Sequence, residues 1–422
     1  MSDKIISAST LVAVAGVVLA ASIVAQSENQ IAFVHVAGAQ QRLRYLATAR
    51  IWSDPGDVTP DMLLAGRSLK QSAGAELEAA IRGEPLPCAF ATPGIDLGGA
   101  TPKFACQTPG GTKIRVKYSD GSKDGNREIF SAVVAAKLLW ALGFVSDPIY
   151  PITIDCRDCP EDPMLGAGPR ARRSYLATFQ PRSNRLVMVE GNDVNQGWSW
   201  GEVDDAITKL PAGALRDRQR MHFDALTLLA VFIQHGDRKA EQQRLECRSA
   251  LDLRAGEAHP LRGDGGPSVF VERPDGSACS EPVIAVQDIG ATFGGAGRAS
   301  KSTAKMNLKA WTNRPVFKPA KPSPTGEVPE CHGNLTVSMT AGVSGRGDPR
   351  IGEAGRAFLQ DRLLLLTDAH VRALMSTARV EKLSESYVWR DPKTGTSYTA
   401  LDAWVAAFKD KVRQITDRRC AP

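Results

Sequence analysis

Four acidic or basic side chains and one amide stand in the chain where they could neutralise a polyphosphate, hold a divalent ion and face an acceptor. Lys117 lies in the alternating run Lys113-Ile114-Arg115-Val116-Lys117-Tyr118, and Glu128 opens the helical stretch that follows. Asp288-Ile289-Gly290 comes directly after the wholly apolar run Pro282–Val286. Between them, Asp237 sits in the polar segment Gln234-His235-Gly236-Asp237-Arg238-Lys239-Ala240-Glu241-Gln242, with Gln242 five residues further on. Phosphoryl transfer leaves the protein little covalent work, so positioning and charge neutralisation dominate. A strand lysine meets the phosphates and a helix carboxylate holds that lysine. A loop aspartate faces the acceptor hydroxyl, and a later aspartate binds the metal that bridges the phosphates.

Each residue alone has a plainer reading. Lys117 could be an ordinary edge-strand lysine, and Glu128 a first-turn acid complementing the helix dipole. Asp288 could be a turn residue. Asp237 beside Gly236 could end the preceding helix, and His235 could satisfy a backbone group at that corner. Their order separates the set from coincidence: strand lysine, helix acid, buried helix, polar loop, apolar strand, Asp-x-Gly.

The elements that must position them are legible as periodicities. Lys103–Cys106 and Lys113–Tyr118 flank Pro109-Gly110-Gly111 and predict a β-hairpin. Arg127–Leu142 has apolar residues at helical spacing and Gly143 as its stop. Strand-like runs follow at Ile149–Ile154 and Ser174–Phe179. Ala214–Gln234 predicts the longest helix, and its end ALTLLAVFIQ is apolar nearly all round, hence buried. Residues 26–90 read as mainly helical, with an amphipathic stretch over Asp61–Ile81 and a break at Gly83-Glu84-Pro85. Helices near Glu353–Leu366 and Ala400–Ile415 close the chain, and 252–280 and 296–350 read as Gly/Pro/Ser-rich loops.

The run Gly236-Asp237-Arg238-Lys239-Ala240-Glu241-Gln242-Gln243 resembles the catalytic loop of the atypical kinases: the phosphoinositide-kinase, HipA-type and secretory-pathway group. Asp288-Ile289-Gly290 resembles their metal-binding tripeptide. Gly98-Gly99-Ala100-Thr101-Pro102-Lys103 is similar to the Gly-x-x-x-Lys stretch that opens the HipA-type nucleotide site. The resemblance spans about residues 95–295 and rests on motif order. It departs at Gln242, which stands where the family carries asparagine or an acid, and in lacking a Gly-x-Gly-x-x-Gly loop.

The resemblance implies an α+β, two-lobed protein-kinase-like fold binding ATP and Mg²⁺. Lys103, Lys117 and Glu128 would serve the nucleotide, Asp288 and Gln242 the metal, and Asp237 the acceptor hydroxyl of a protein, lipid or glycan. The expected organisation is a signal or anchor over 1–25, a helical extension over 26–90, an N-lobe over 91–180 and a C-lobe over 181–422. The alternative is a non-catalytic, envelope-associated binding protein on the same scaffold.

Composition narrows the classes. Of 422 residues, 43% are hydrophobic and 23% charged, which excludes a disordered, collagen-like or polytopic membrane chain. The net charge of +6 is dispersed, so a nucleic-acid partner is not demanded. Ile5–Ala25 is uncharged and suits a signal peptide or a membrane anchor, placing the protein at the cell envelope, with a cytoplasm-facing anchored form as the other topology. Eight cysteines in an exported chain predict disulfides. Cys247–Cys279 is the favoured pair. Cys156-Arg-Asp-Cys159 reads as a local staple, or as halves of two longer bridges, before it reads as a redox or zinc motif. Trp198 and Trp200, between Gly197 and Gly201, suggest a packing corner or the rim of a substrate groove. Asn334-Leu335-Thr336 is a glycosylation sequon only in a glycosylating host.

Overall fold

The computed structural model describes residues 33–36, 39–67, 75–91, 101–120, 125–181, 186–190, 197–236, 240, 243–247, 282–294, 305–320, 327–335, 348–383 and 387–421. The expectations for Gly98–Ala100, Asp237, Gln242, Cys279 and the segment Ile5–Ala25 fall outside them.

Near the N-terminus lie strand β1 (Phe33–Val36) and helices α1 (Ala39–Thr48), α2 (Pro60–Ala65) and α3 (Ala75–Ile81). The amphipathic stretch 61–81 is therefore not one helix. Gly66, at φ 78°, ends α2 with its N–H on the Met62 carbonyl, a left-handed stop that glycine adopts readily. The predicted break near Pro85 proves to be the start of a strand.

Strands β2 (Pro85–Ala91), β3 (Lys103–Gln107) and β4 (Lys113–Ser119) are followed by helix α4 (Glu128–Ala141) and strands β5 (Val145–Ser146), β6 (Tyr150–Cys159) and β7 (Ala171–Phe179). β2, β3, β4, β7 and β6 form a closed barrel, shut by parallel pairing of β2 with β6. Alternation on β4 turns Ile114, Val116 and Tyr118 inward to meet Phe104, Ile152, Ile154 and Tyr175. Phe104, Tyr118 and Tyr175 pack edge to face, with centroids 5.0–5.8 Å apart. Disulfides Cys88–Cys106, between β2 and β3, and Cys156–Cys159, across a register shift in β6, staple the barrel wall. Cys156–Cys159 is thus the local staple.

α4 is buried on every side, from Glu128 to Ala141, because it lies between the barrel and the helical body. After β8 (Leu186–Glu190) come α5 (Trp200–Thr208) and α6 (Ala214–Phe232), then β9 (Arg244–Cys247) and β10 (Pro282–Val286). The second sheet runs β1-β8-β9-β10-β5, and β10 is buried throughout. α7 (Leu308–Thr312), α8 (Glu353–Leu364), α9 (Asp368–Thr377) and α10 (Ala400–Thr416) complete the body. One core joins α4, the buried half of α6 and these C-terminal helices. The architecture is mixed α/β. A third disulfide, Cys331–Cys420, ties the C-terminal tail to the body. Among the described residues, no helix is long and apolar enough to cross a membrane.

Candidate functional site

Lys117 projects from β4 at the end of the barrel facing α4, and two carboxylates from distant parts of the chain converge on it. Its Nζ donates to Glu128 Oε1 at 2.5 Å and to Asp288 Oδ1 at 3.3 Å. The contact joins the barrel, the central helix and the turn after β10. Burial alone would depress the Lys117 ammonium, but Asp288 and Glu128 overcome it and raise its pKa above the usual lysine range. Burial alone would raise the Glu128 carboxyl; Lys117 and Lys305 outweigh it and hold the acid ionised, below its ordinary value.

Local chemistry explains why Glu128 sits where it does. Asn126 Oδ1 accepts the Glu128 N–H at 3.1 Å, satisfying a helix-start donor, while its Nδ2 donates to the Tyr118 carbonyl at 3.1 Å. That one amide therefore fixes the first turn of α4 against the strand carrying Lys117. Thr101 Oγ1, at the entrance to β3, donates to Glu128 Oε2 at 2.9 Å. One turn along α4, Ser131 Oγ donates to the Gly290 carbonyl, so Glu128 and Ser131 grip the Asp-Ile-Gly turn from one helix face.

Asp288 itself is left-handed, at φ 49°, a conformation that aspartate tolerates better than most residues. Its side chain is 38% exposed, in contrast to the 4% of Glu128, so an incoming ligand can reach it. Gly290 has no room for a side chain: an added Cβ would come within 2.6 Å of Glu128 Cδ. The glycine of Asp-x-Gly is thus dictated here by close approach to the orienting acid. The turn is anchored beyond by Phe293, whose N–H donates to the Ile233 carbonyl at the end of α6 at 2.6 Å.

Lys103 is the cross-strand partner of Lys117 in the β3–β4 register and is buried. Burial lowers its pKa, and Lys117 and Arg115 add to the shift. Four of the six sequence-selected residues, Lys103, Lys117, Glu128 and Asp288, therefore gather at one place. Asp237 and Gln242 lie outside the described residues; Gln243, which follows Gln242, approaches this place. Gln243 Oε1 accepts the Gln287 N–H at 3.3 Å, just before Asp288.

Sequence reasoning missed Lys305 and the carbonyl partners of Trp198. Lys305 Nζ donates to Glu128 Oε2 at 2.6 Å, from a segment that carries no helix or strand signal. Trp198 is fully buried, and its Nε1 donates to the carbonyls of Arg244 (3.0 Å) and Ala285 (3.2 Å), fastening β9 and β10. The Trp198–Trp200 pair is the packing corner, with ring centroids 5.2 Å apart. Trp200 also lines a groove of about 950 Å³ with Asp204, Arg220, Asp224 and Glu353.

Among the described residues, no three His, Cys, Asp or Glu side chains gather in a metal-binding group. The donor chemistry still suits magnesium, which commonly takes one or two carboxylates and completes its shell with water and phosphate oxygens. Asp288 offers one such hard oxygen ligand, reachable by solvent.

No known family model matches this chain, and no curated protein matches it. Among solved structures, it is similar to the crystal structure of a Helicobacter pylori proinflammatory kinase, CtkA. That similarity covers 79% of this chain and 96% of the other at 12% sequence identity and a TM-score of 0.36, too distant to assign an activity.

Proposed function

We propose that this protein is an ATP-dependent phosphotransferase of the atypical kinase type, with two lobes formed by the barrel and the helical body and the nucleotide held between them. The observation that carries the reading is Lys117 Nζ held between a buried helix acid and a ligand-accessible Asp288, 2.5 and 3.3 Å away. An ammonium so fixed is pre-oriented for phosphate oxygens, and its partner acids keep it charged. Lys117 binds the phosphates and Glu128 orients it. Lys103 adds positive charge beside it. Asp288, with Gln242, holds the magnesium ion, which when bound would neutralise charge on the phosphates. Asp237 orients the acceptor hydroxyl, or takes its proton, and the acceptor is an alcohol of a protein, lipid or glycan.

The uncharged segment Ile5–Ala25 supports placement at the cell envelope, and the three disulfides among the described residues favour an oxidising compartment. ATP has to be available on the side where the barrel resides.

Thermal unfolding with and without Mg-ATP tests the reading. The wild type gains stability with rising nucleotide concentration, as any ligand of the folded state must provide. Asp288→Ala abolishes the gain, and Lys117→Ala abolishes or sharply reduces it. No shift in the wild type over a wide nucleotide range rejects nucleotide binding. A shift surviving both substitutions places the nucleotide elsewhere. Transfer of γ-phosphate to serine-rich protein, inositol lipid or glycan acceptors separates a kinase from a nucleotide-binding scaffold.

A further inference from the structure

Glu128 carries a second lysine that the phosphotransfer reading does not use. Lys305 Nζ lies 2.6 Å from Glu128 Oε2, while Lys117 takes Oε1 at 2.5 Å. The two ammoniums occupy different oxygens, so they do not compete; together they fix the plane of the carboxylate. Lys305 is itself held by backbone pairing: the Met306 N–H donates to the Thr292 carbonyl at 3.1 Å, and the Asn307 N–H to that of Phe293 at 2.7 Å. Arg127 Nη1 also reaches the Met306 carbonyl at 3.4 Å, so the residue before Glu128 grips the same segment. The segment beyond Asp288-Ile289-Gly290 thus folds back and clamps the acid that orients Lys117.

We propose that Lys305 is a positioning residue of the polyphosphate site: by sharing the charge of Glu128 it keeps Lys117 from being drawn wholly onto that acid, leaving the Lys117 ammonium able to meet phosphate oxygens. The inference rests on the nucleotide reading above and names the polyphosphate as the part of the ligand that feels Lys305. Physically, Lys117 is shared between two acids, at 2.5 and 3.3 Å. If Glu128 loses its second ammonium, its less compensated charge draws Lys117 more strongly, and an ammonium held tightly by a buried acid has less to give a phosphate. Removing Lys305 therefore weakens polyphosphate binding with or without the metal. Thr101 remains on Oε2, so the buried acid keeps a donor and the fold survives.

The test is calorimetric titration of the full chain with ATP and with inorganic tripolyphosphate, each with and without Mg²⁺. Lys305→Ala is expected to weaken Mg-ATP and Mg-tripolyphosphate about tenfold, the effect of losing one charge-assisted hydrogen bond. The metal-free affinities fall at least as far. Lys305→Arg restores binding, and adding Lys305→Ala to a Glu128→Gln chain costs nothing further, since Lys305 acts through that acid. Wild-type affinity in Lys305→Ala, or a further loss when Lys305→Ala is added to Glu128→Gln, overturns the role while leaving nucleotide binding intact. Wild-type binding of Mg-tripolyphosphate without Mg-ATP, lost in Lys305→Ala, rejects the nucleotide reading and keeps the role. No binding of either probe by the wild type overturns both.

Discussion

Glu128→Gln replaces a buried charge by an isosteric amide at the point where three segments meet, and its consequences can be worked out before measurement. The carboxylate is 4% exposed and receives two ammoniums, at 2.5 and 2.6 Å, and the Thr101 hydroxyl at 2.9 Å. Neutralising one partner of a buried pair costs roughly 3–5 kcal/mol, because the other charge stays behind in a poorly solvated place. Asp288 still faces Lys117 at 3.3 Å, so the lower end, about 3 kcal/mol, is expected. At about 2–4 °C per kcal/mol for a large domain, Tm falls by roughly 6–12 °C. The acid limb sharpens the test. Glu128 titrates below its ordinary value when folded, so its contribution is complete above a pH of about 4.5 and is lost as the pH falls through the depressed folded value. The wild type and Glu128→Gln should therefore converge in acid and diverge towards neutrality. Thermal scans of both proteins between about pH 3 and 7 read this directly. Equal Tm at neutral pH, or a gap that persists unchanged in acid, would refute the claim that an ionised Glu128 organises the site.

Three further expectations use other observations. Gly290→Ala places a methyl within 2.6 Å of Glu128 Cδ, so it should lower Tm and reduce Mg-ATP binding together; wild-type behaviour would show that the Asp-Ile-Gly turn does not abut the acid. Breaking Cys331–Cys420, which closes a long loop of separation 89, should cost about 4.6 kcal/mol in the chain-entropy description, read as a lower denaturation midpoint for Cys331→Ser/Cys420→Ser. Lys103 has a lowered pKa from burial and from Lys117 and Arg115; a bound polyphosphate favours its charged form. Mg-ATP binding in alkaline buffer should then take up protons, shown by calorimetry in buffers of differing ionisation enthalpy, and Lys103→Met should abolish the uptake.

The part of the site that could be read from sequence is the part fixed by local pattern. Alternation on β4 puts Lys117 on a strand, the helix start puts Glu128 in a first turn, and an all-apolar strand delivers Asp288. Lys305 could not be found this way. Its place depends on backbone pairing with Thr292 and Phe293, a tertiary event with no periodicity of its own. Trp198 was legible as a packing corner beside Trp200, but the two carbonyls of β9 and β10 that it joins were not. Barrel closure was hidden because Pro85 and Pro87 argue against a strand, yet β2 starts at Pro85 and pairs with β6. Helix α4, EIFSAVVAAKLLWA, is apolar nearly all round, and its enclosure on all sides agrees with that pattern; which layers enclose it is not written in its own residues. The Cys88–Cys106 pairing likewise follows from neighbouring strands rather than from spacing. α9 escaped notice despite its Thr367/His370 capping box, because its moderate apolar content resembles the loops around it.

Crystals grown with manganese and a non-hydrolysable ATP analogue bear most directly on the central claim, because anomalous scattering locates the metal independently of the nucleotide. The account predicts a manganese peak within about 2.0–2.3 Å of an Asp288 carboxylate oxygen, with phosphate oxygens in hydrogen-bonding reach of Lys117 Nζ. A metal and triphosphate bound away from Asp288, with Lys117 still paired only to its two acids, would contradict it.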